Sequence, residues 1–221
     1  MIRKTLKLML SIVCAIVVLT STQVFGQNSD RTDIMTPLKA DNYKDMAAKL
    51  SEEGWKTLSY TIEEQLVSTA KLKGEMSPIS HDAMYLWVME ETTAADLAGA
   101  KEANNMNAVN SMTYQVALPF LSQCQVLLMK KGTVERMNDM NRIINQVAPM
   151  VVQNNIRKSM EIYLEKDKSV TVRAVYVLNK EKIYHVLMEE CSRHAEGSKE
   201  NAILTDIFKE AMHRMAKRSL R

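Results

Sequence analysis

The chain has 221 residues, 25% of them charged, with 29 Lys+Arg against 26 Asp+Glu and a formal net charge of +3. Arg3, Lys4 and Lys7 account for that excess, so everything after them is electrically balanced. This argues against nucleic-acid binding, which wants a strong basic excess, and against an acidic interaction tail. No GxSxG elbow, Gly-rich phosphate loop, CxxC, HExxH or HxH spacing occurs, which removes the usual textual signs of acyl transfer, nucleotide binding and zinc chemistry.

The basic start is followed by an apolar run from Leu8 to Leu19, interrupted by Ser11, and then by the small residues Val24 and Gly26. This three-part pattern predicts a secretory signal peptide over 1–26. The run is shorter than the roughly 20 residues of a membrane span, and no second run of that length follows. Cys14 lies within it, after the bulky Val13, which is a poor setting for lipid attachment. Residues 27–40 are polar, contain Pro37 and read as a flexible lead-in to a single α+β domain over 41–221.

The domain opens with a helical pair over 41–74. Tyr43, Met46, Ala47 and Leu50 recur at helical spacing behind Asp41 as N-cap, and Gly54 suits a left-handed stop. Thr61-Ile62-Glu63-Glu64 is a capping box for a helix that ends at Gly74, with Ile62, Leu66 and Ala70 along one side. Ser77-Pro78-Ile79-Ser80-His81-Asp82 reads as a turn, and Met84–Thr92 as a strand carrying a core Trp87. Thr93 and Asp96 cap a long, small-residue-rich helix that Pro119 is expected to kink or break, and that stops at Gly132. Thr133 is expected to cap the next helix, which buries Met137, Met140, Ile144, Val147 and Val151.

Ser159–Leu178 alternates apolar and polar residues on both sides of Lys166-Asp167-Lys168, a hairpin. Asn179 caps a helix with Ile183, Val186, Leu187 and Cys191 on its inner face. Gly197 then separates a last helix over 198–221 with Leu204, Ile207, Phe208, Ala211 and Met215 inward. The expected fold is therefore α+β and helix-rich. A small, mainly antiparallel sheet of about three strands in β-α-α-β-β-α order is covered by helices, with extra helices at both ends.

Carboxylate pairs at Glu52-Glu53, Glu63-Glu64, Glu90-Glu91 and Glu189-Glu190 are adjacent in sequence, so helix or strand geometry separates each pair. Cys191 and His194 share a helix face near His185, but two ligands do not close a metal site. The Met137/Met140 and Met212/Met215 pairs lie on apolar stripes and read as core filler rather than Cu(I) ligands. Arg214, Lys217, Arg218 and Arg221 suit a helix C-terminus. Cys124 and Cys191 permit one disulfide in an oxidising compartment; the competing reading is two buried thiols. Trp55 reads as a clamp onto the core.

Asp45-Met46-Ala47-Ala48-Lys49-Leu50-Ser51-Glu52-Glu53-Gly54-Trp55-Lys56, followed by Ile62-Glu63-Glu64-Gln65-Leu66, resembles the opening of exported Gram-negative envelope proteins of the Lpp-twenty lipoprotein-like family. A strand at Tyr85-Leu86-Trp87-Val88-Met89 feeding the helix of Ala94 to Ala103, and the late hairpin, fit the same pattern. The resemblance implies an envelope-associated α+β body and carries no catalytic residue to this chain. The chain lacks the lipobox of the lipoprotein members.

The leading expectation is a non-enzymatic exported module that binds an envelope protein or ligand, in the periplasm or at the outer membrane, or is secreted. It needs no cofactor, metal or nucleic acid. A second reading is a subunit of an envelope assembly that self-associates through apolar helix faces. A third is an enzyme whose site is assembled near the sheet from His81, Glu90, Glu91 and Arg173.

Overall fold

In the computed structural model the described residues are 40–78, 81–196 and 202–218. The signal over 1–26, Cys14, the lead-in through residue 39, and Gly197 lie outside them. Ten regular elements follow: α1 (Ala40–Glu52), α2 (Ile62–Gly74), β1 (Tyr85–Ala94), α3 (Leu97–Lys131), α4 (Met137–Asn155), β2 (Arg157–Lys166), β3 (Ser169–Asn179), α5 (Lys180–Ala195) and α6 (Ala202–Arg218), with a 3₁₀ turn at Val134–Arg136 before α4. All belong to one compact unit, Leu38–Arg221. The helix-rich α+β fold read from the sequence is the fold observed.

Local chemistry explains most boundaries. The N–H of Trp55 reaches the Leu50 carbonyl and that of Gly54 reaches Ser51, with Gly54 at φ 93°. That is a Schellman stop, in which Trp55 and Leu50 meet as the hydrophobic pair that accompanies it, both buried. Thr61 and Glu64 exchange hydrogen bonds in a complete capping box at the start of α2. Asp96 Oδ1 accepts from Gly99 N, and Gly132 ends α3 at φ 68°. Asp167 and Lys168 both adopt positive φ, the two-residue turn whose twist matches that of the hairpin.

Four sequence expectations need correction. Asp41 lies inside α1 rather than capping it, because the helix begins at Ala40. Thr93 belongs to β1 and leaves the capping of α3 to Asp96. Thr133 makes no cap bond; its Oγ1 instead donates back to the Leu128 carbonyl at 3.5 Å, and a 3₁₀ turn intervenes before α4. α3 runs through Pro119 without a break, because its flanking Val116 and Phe120 are fully buried and tertiary packing outweighs one missing hydrogen bond.

The sheet order is β1-β3-β2, all antiparallel. One face of β3 offers Val172, Ala174, Tyr176 and Leu178 to α3–α6, in a core with Phe120, Ile144, Leu187 and Phe208. Each fully buried Val, Leu, Ile or Phe among them contributes about 1.5–3 kcal/mol. The other face, with Met160, Ile162, Val175 and Val177 buried, lies under α2 and the Trp55–Lys56 link that follows α1. Helices thus cover both faces. The outer edge of β2 is closed as well. Lys56 pairs with Tyr163 through two backbone bonds of 2.8 and 2.9 Å, and Gln65 Oε1 accepts from Glu161 N at 2.7 Å, a standard protection against edge pairing.

Candidate functional site

The carboxylates singled out in the sequence go to opposite faces of β1. Glu90, Ala174 and Glu161 form one row beneath α3. Ser111 Oγ donates to Glu90 Oε1 at 2.7 Å. Glu161 takes Lys101 Nζ at 2.6 Å and is also paired with Lys158. Between them, in the next row, the Tyr176 hydroxyl donates to Asn104 Oδ1 at 3.0 Å. Asn104 Nδ2 in turn donates to the Val172 carbonyl at 3.1 Å. Burial, reinforced by Glu161 and Glu90, pushes the Tyr176 hydroxyl well above its ordinary pKa. This layer is a satisfied network rather than an open site.

Glu91 sits on the α1–α2 side, where its Oε2 accepts from Arg173 Nε at 2.6 Å. The same guanidinium lies 4.4 Å from the centre of the Trp55 ring. Trp55 is 7% exposed, so it is the clamp expected of it. Trp87 is only half-buried because β1 is an edge strand. Lys73 covers its ring at 4.1 Å, and burial lowers that ammonium to about 8. His81 lies exposed in the turn before β1, with φ 57°. Glu91 lies six strand positions beyond Tyr85, about 20 Å at the usual rise. The structure therefore joins Glu91 to Arg173 but does not assemble His81, Glu90, Glu91 and Arg173 into one centre.

A groove of about 590 Å³ opens beside the sheet instead, between α2 and the first half of β2. Ser59, Tyr60, Ser68, Arg157, Lys158 and Ser159 are among its lining residues. The capping box of α2 and the edge contacts of Gln65 fix one wall. The register shift between Lys158 and Met160 turns the start of β2 into the other. Both carboxylates of the groove are engaged. Hydrogen bonds from the backbone and hydroxyl of Thr61 hold Glu64 below the ordinary carboxylate value. For Glu161, burial acts upward, and hydrogen bonds and charge from Lys101 and Lys158 together outweigh it, so its carboxyl also ends low. Ionised, paired carboxylates are poor proton donors at neutral pH. By contrast the hydroxyls of Ser59, Tyr60 and Ser68, and the Arg157 guanidinium, make no hydrogen bond or ion pair among the described residues. Arg157 also faces a smaller hollow of about 390 Å³ at the end of the sheet, with Asn154, Asn155 and Lys182. The arrangement presents hydrogen-bonding groups to a ligand.

Cys124 and Cys191 are buried free thiols in the main core, so the disulfide the sequence permits is not formed here. Burial pushes the Cys191 thiol up to about 12 and Cys124 higher, with the neighbouring Cys191 adding to the latter. Among the described residues no group of three or more His, Cys, Asp or Glu is placed to hold a metal ion, and no helix is long and apolar enough to cross a membrane. Met140 is fully buried on α4, in agreement with a packing role. No signal in the sequence marked the groove: its free hydroxyls belong to Ser59, Tyr60 and Ser68, and only the fold brings them opposite Arg157. No family model, no curated protein and no solved structure matches the chain.

Proposed function

We propose that this protein is an exported, non-enzymatic binding module of the cell envelope, and that the α2–β2 groove is where it holds its ligand. The observation that carries the reading is the division of labour within the groove. Its carboxylates are committed to Thr61, Lys101 and Lys158, whereas three hydroxyls and Arg157 are left to meet a ligand. The amino-terminal pattern and the likeness of the Lys49–Lys56 segment to exported envelope proteins support the compartment. The motif supplies the groove's surroundings: Trp55 and Lys56 seat the segment on the sheet, and Glu64 and Gln65 build the α2 wall.

Affinity capture from envelope fractions tests this, with Ser68→Trp to fill the groove and Arg157→Glu to reverse its charge. A ligand retained by the natural protein and lost by both variants is the expected result. Turnover of an envelope substrate by the purified protein, abolished by substitution of Glu161 or Glu64, would overturn the reading.

The assembly reading has an observation of its own. Tyr114, Leu118 and Met129 are 68%, 58% and 64% exposed on one stripe of α3, an apolar ridge of the kind that marks contact surfaces. Light scattering on the purified protein and on Leu118→Lys decides it: a dimer or larger species that the substitution dissociates supports assembly, and a monomer in both argues against it.

A further inference from the structure

A second cleft, separate from the α2–β2 groove, lies against the middle of α3. It is an open cleft of about 630 Å³, bounded by α3, the start of α5, Leu86 of β1 and Met215 of α6. Pro119 in its wall has no N–H to give the carbonyl of Gln115, four residues earlier. Tyr184 also lines it. This residue is 6% exposed, yet its hydroxyl has no hydrogen-bond partner among the described residues. The ring is buried, but the hydroxyl oxygen itself keeps some accessible surface and so is open to a ligand. Burial raises its pKa to about 12, which keeps the proton on. The side chains of Gln115, Ser122 and Gln123, likewise in the wall, make no hydrogen bond among the described residues either.

From this set we infer that the cleft binds a neutral saccharide, with Tyr184, Gln115, Ser122 and Gln123 as its hydrogen-bonding residues. Every one of these groups can both donate and accept, which is what a run of sugar hydroxyls requires. A carboxamide sets its oxygen and nitrogen side by side and so meets two neighbouring hydroxyls at once. The charged lining residues, Asp82 and Lys180, pair with each other at 3.8 Å and cancel, so the cleft offers no net charge to an ionic ligand. Pro119, Leu86 and Met215 provide apolar surface for the C–H face of a sugar ring. The volume falls within the usual range of small-ligand sites, about 300–1,000 Å³.

Titration calorimetry of the purified protein with maltose, N,N′-diacetylchitobiose and glucuronic acid tests the inference. At least one of the two neutral disaccharides is expected to bind, and glucuronic acid more weakly. Tyr184→Phe is expected to weaken binding about tenfold, the effect of one lost hydrogen bond. Gln123→Ala, at a partly exposed position, repeats the test without disturbing the core. The inference fails if neither neutral disaccharide binds at millimolar concentration, if glucuronic acid binds as well as they do, or if both variants bind unchanged. Ser68→Trp in the other groove should leave this binding intact, so failure here and failure of the proposed groove are separable.

Discussion

The Arg173 guanidinium stacks 4.4 Å from the centre of the Trp55 ring while its Nε donates to Glu91. A residue of the central strand thereby pins the link between the first two helices to the sheet. Trp55→Ala should cost about 3–5 kcal/mol, as a buried aromatic truncation does. Arg173→Ala should cost about 1–3 kcal/mol, through lost stacking and a Glu91 left without its cation. The double variant should cost less than the sum, because each substitution removes the same contact. Urea denaturation of the three variants measures this; strict additivity would show that the stacking carries no energy.

Beneath α3 the Tyr176–Asn104 pair supports the opposite face. Tyr176→Phe leaves Asn104 Oδ1 without its donor in a fully buried position, a loss of about 1–3 kcal/mol. Asn104→Ala should cost more, since it also strands the Tyr176 hydroxyl and the Val172 carbonyl. Thermal unfolding of both variants gives the order, and Tyr176→Phe proving as costly as Asn104→Ala would contradict it.

These two pairs also show where the sequence was legible. Gly54-Trp55, Thr61/Glu64, Asp96, Gly132 and Asn179 write their own boundaries, because caps and left-handed stops are decided by neighbours a few residues away. Alternation likewise placed the late hairpin and sent Glu90 and Glu91 to opposite faces. Partners, in contrast, were hidden. Ser111 lies 21 residues from Glu90 and Arg173 lies 82 from Glu91, and nothing local announces such pairings. Lys101 lies 60 residues from Glu161, and α3 brings it over that carboxylate only in the folded chain. Pro119 looked like a break because propensity ignores the core on which its helix rests. The groove and the cleft escaped for the same reason: they are made of ordinary Ser, Gln and Tyr that topology alone brings together.

Glu161 gives a pH prediction. Its carboxyl is held below 4.5 in the folded protein, because the two lysines outweigh burial. A folded-state value below the unfolded one means the pair contributes stability above the ordinary carboxylate range. That contribution is lost as pH falls through the folded value. The urea midpoint should therefore drop between neutral pH and pH 3. Glu161→Gln should lower the midpoint at pH 7 and flatten the acid-side fall. A variant whose profile runs parallel to the natural one would remove Glu161 from this role.

The two core thiols should be silent in the folded state. Only the thiolate is a good nucleophile, and burial raises both Cys124 and Cys191 while denying reagent access. Iodoacetamide at pH 8 should leave both unmodified over times in which an exposed cysteine reacts fully, with slow labelling that follows global opening. In urea without reductant both should alkylate, as mapped by mass spectrometry of their peptides. If neither does until reductant is added, the protein carries a Cys124–Cys191 disulfide, which would require α3 and α5 to bring those Cα atoms within about 7 Å. Cys124→Ser separates the outcomes further. In the free-thiol state it buries a hydroxyl in an apolar core and costs about 1–3 kcal/mol whether or not reductant is present. In the disulfide state its cost would depend on reductant.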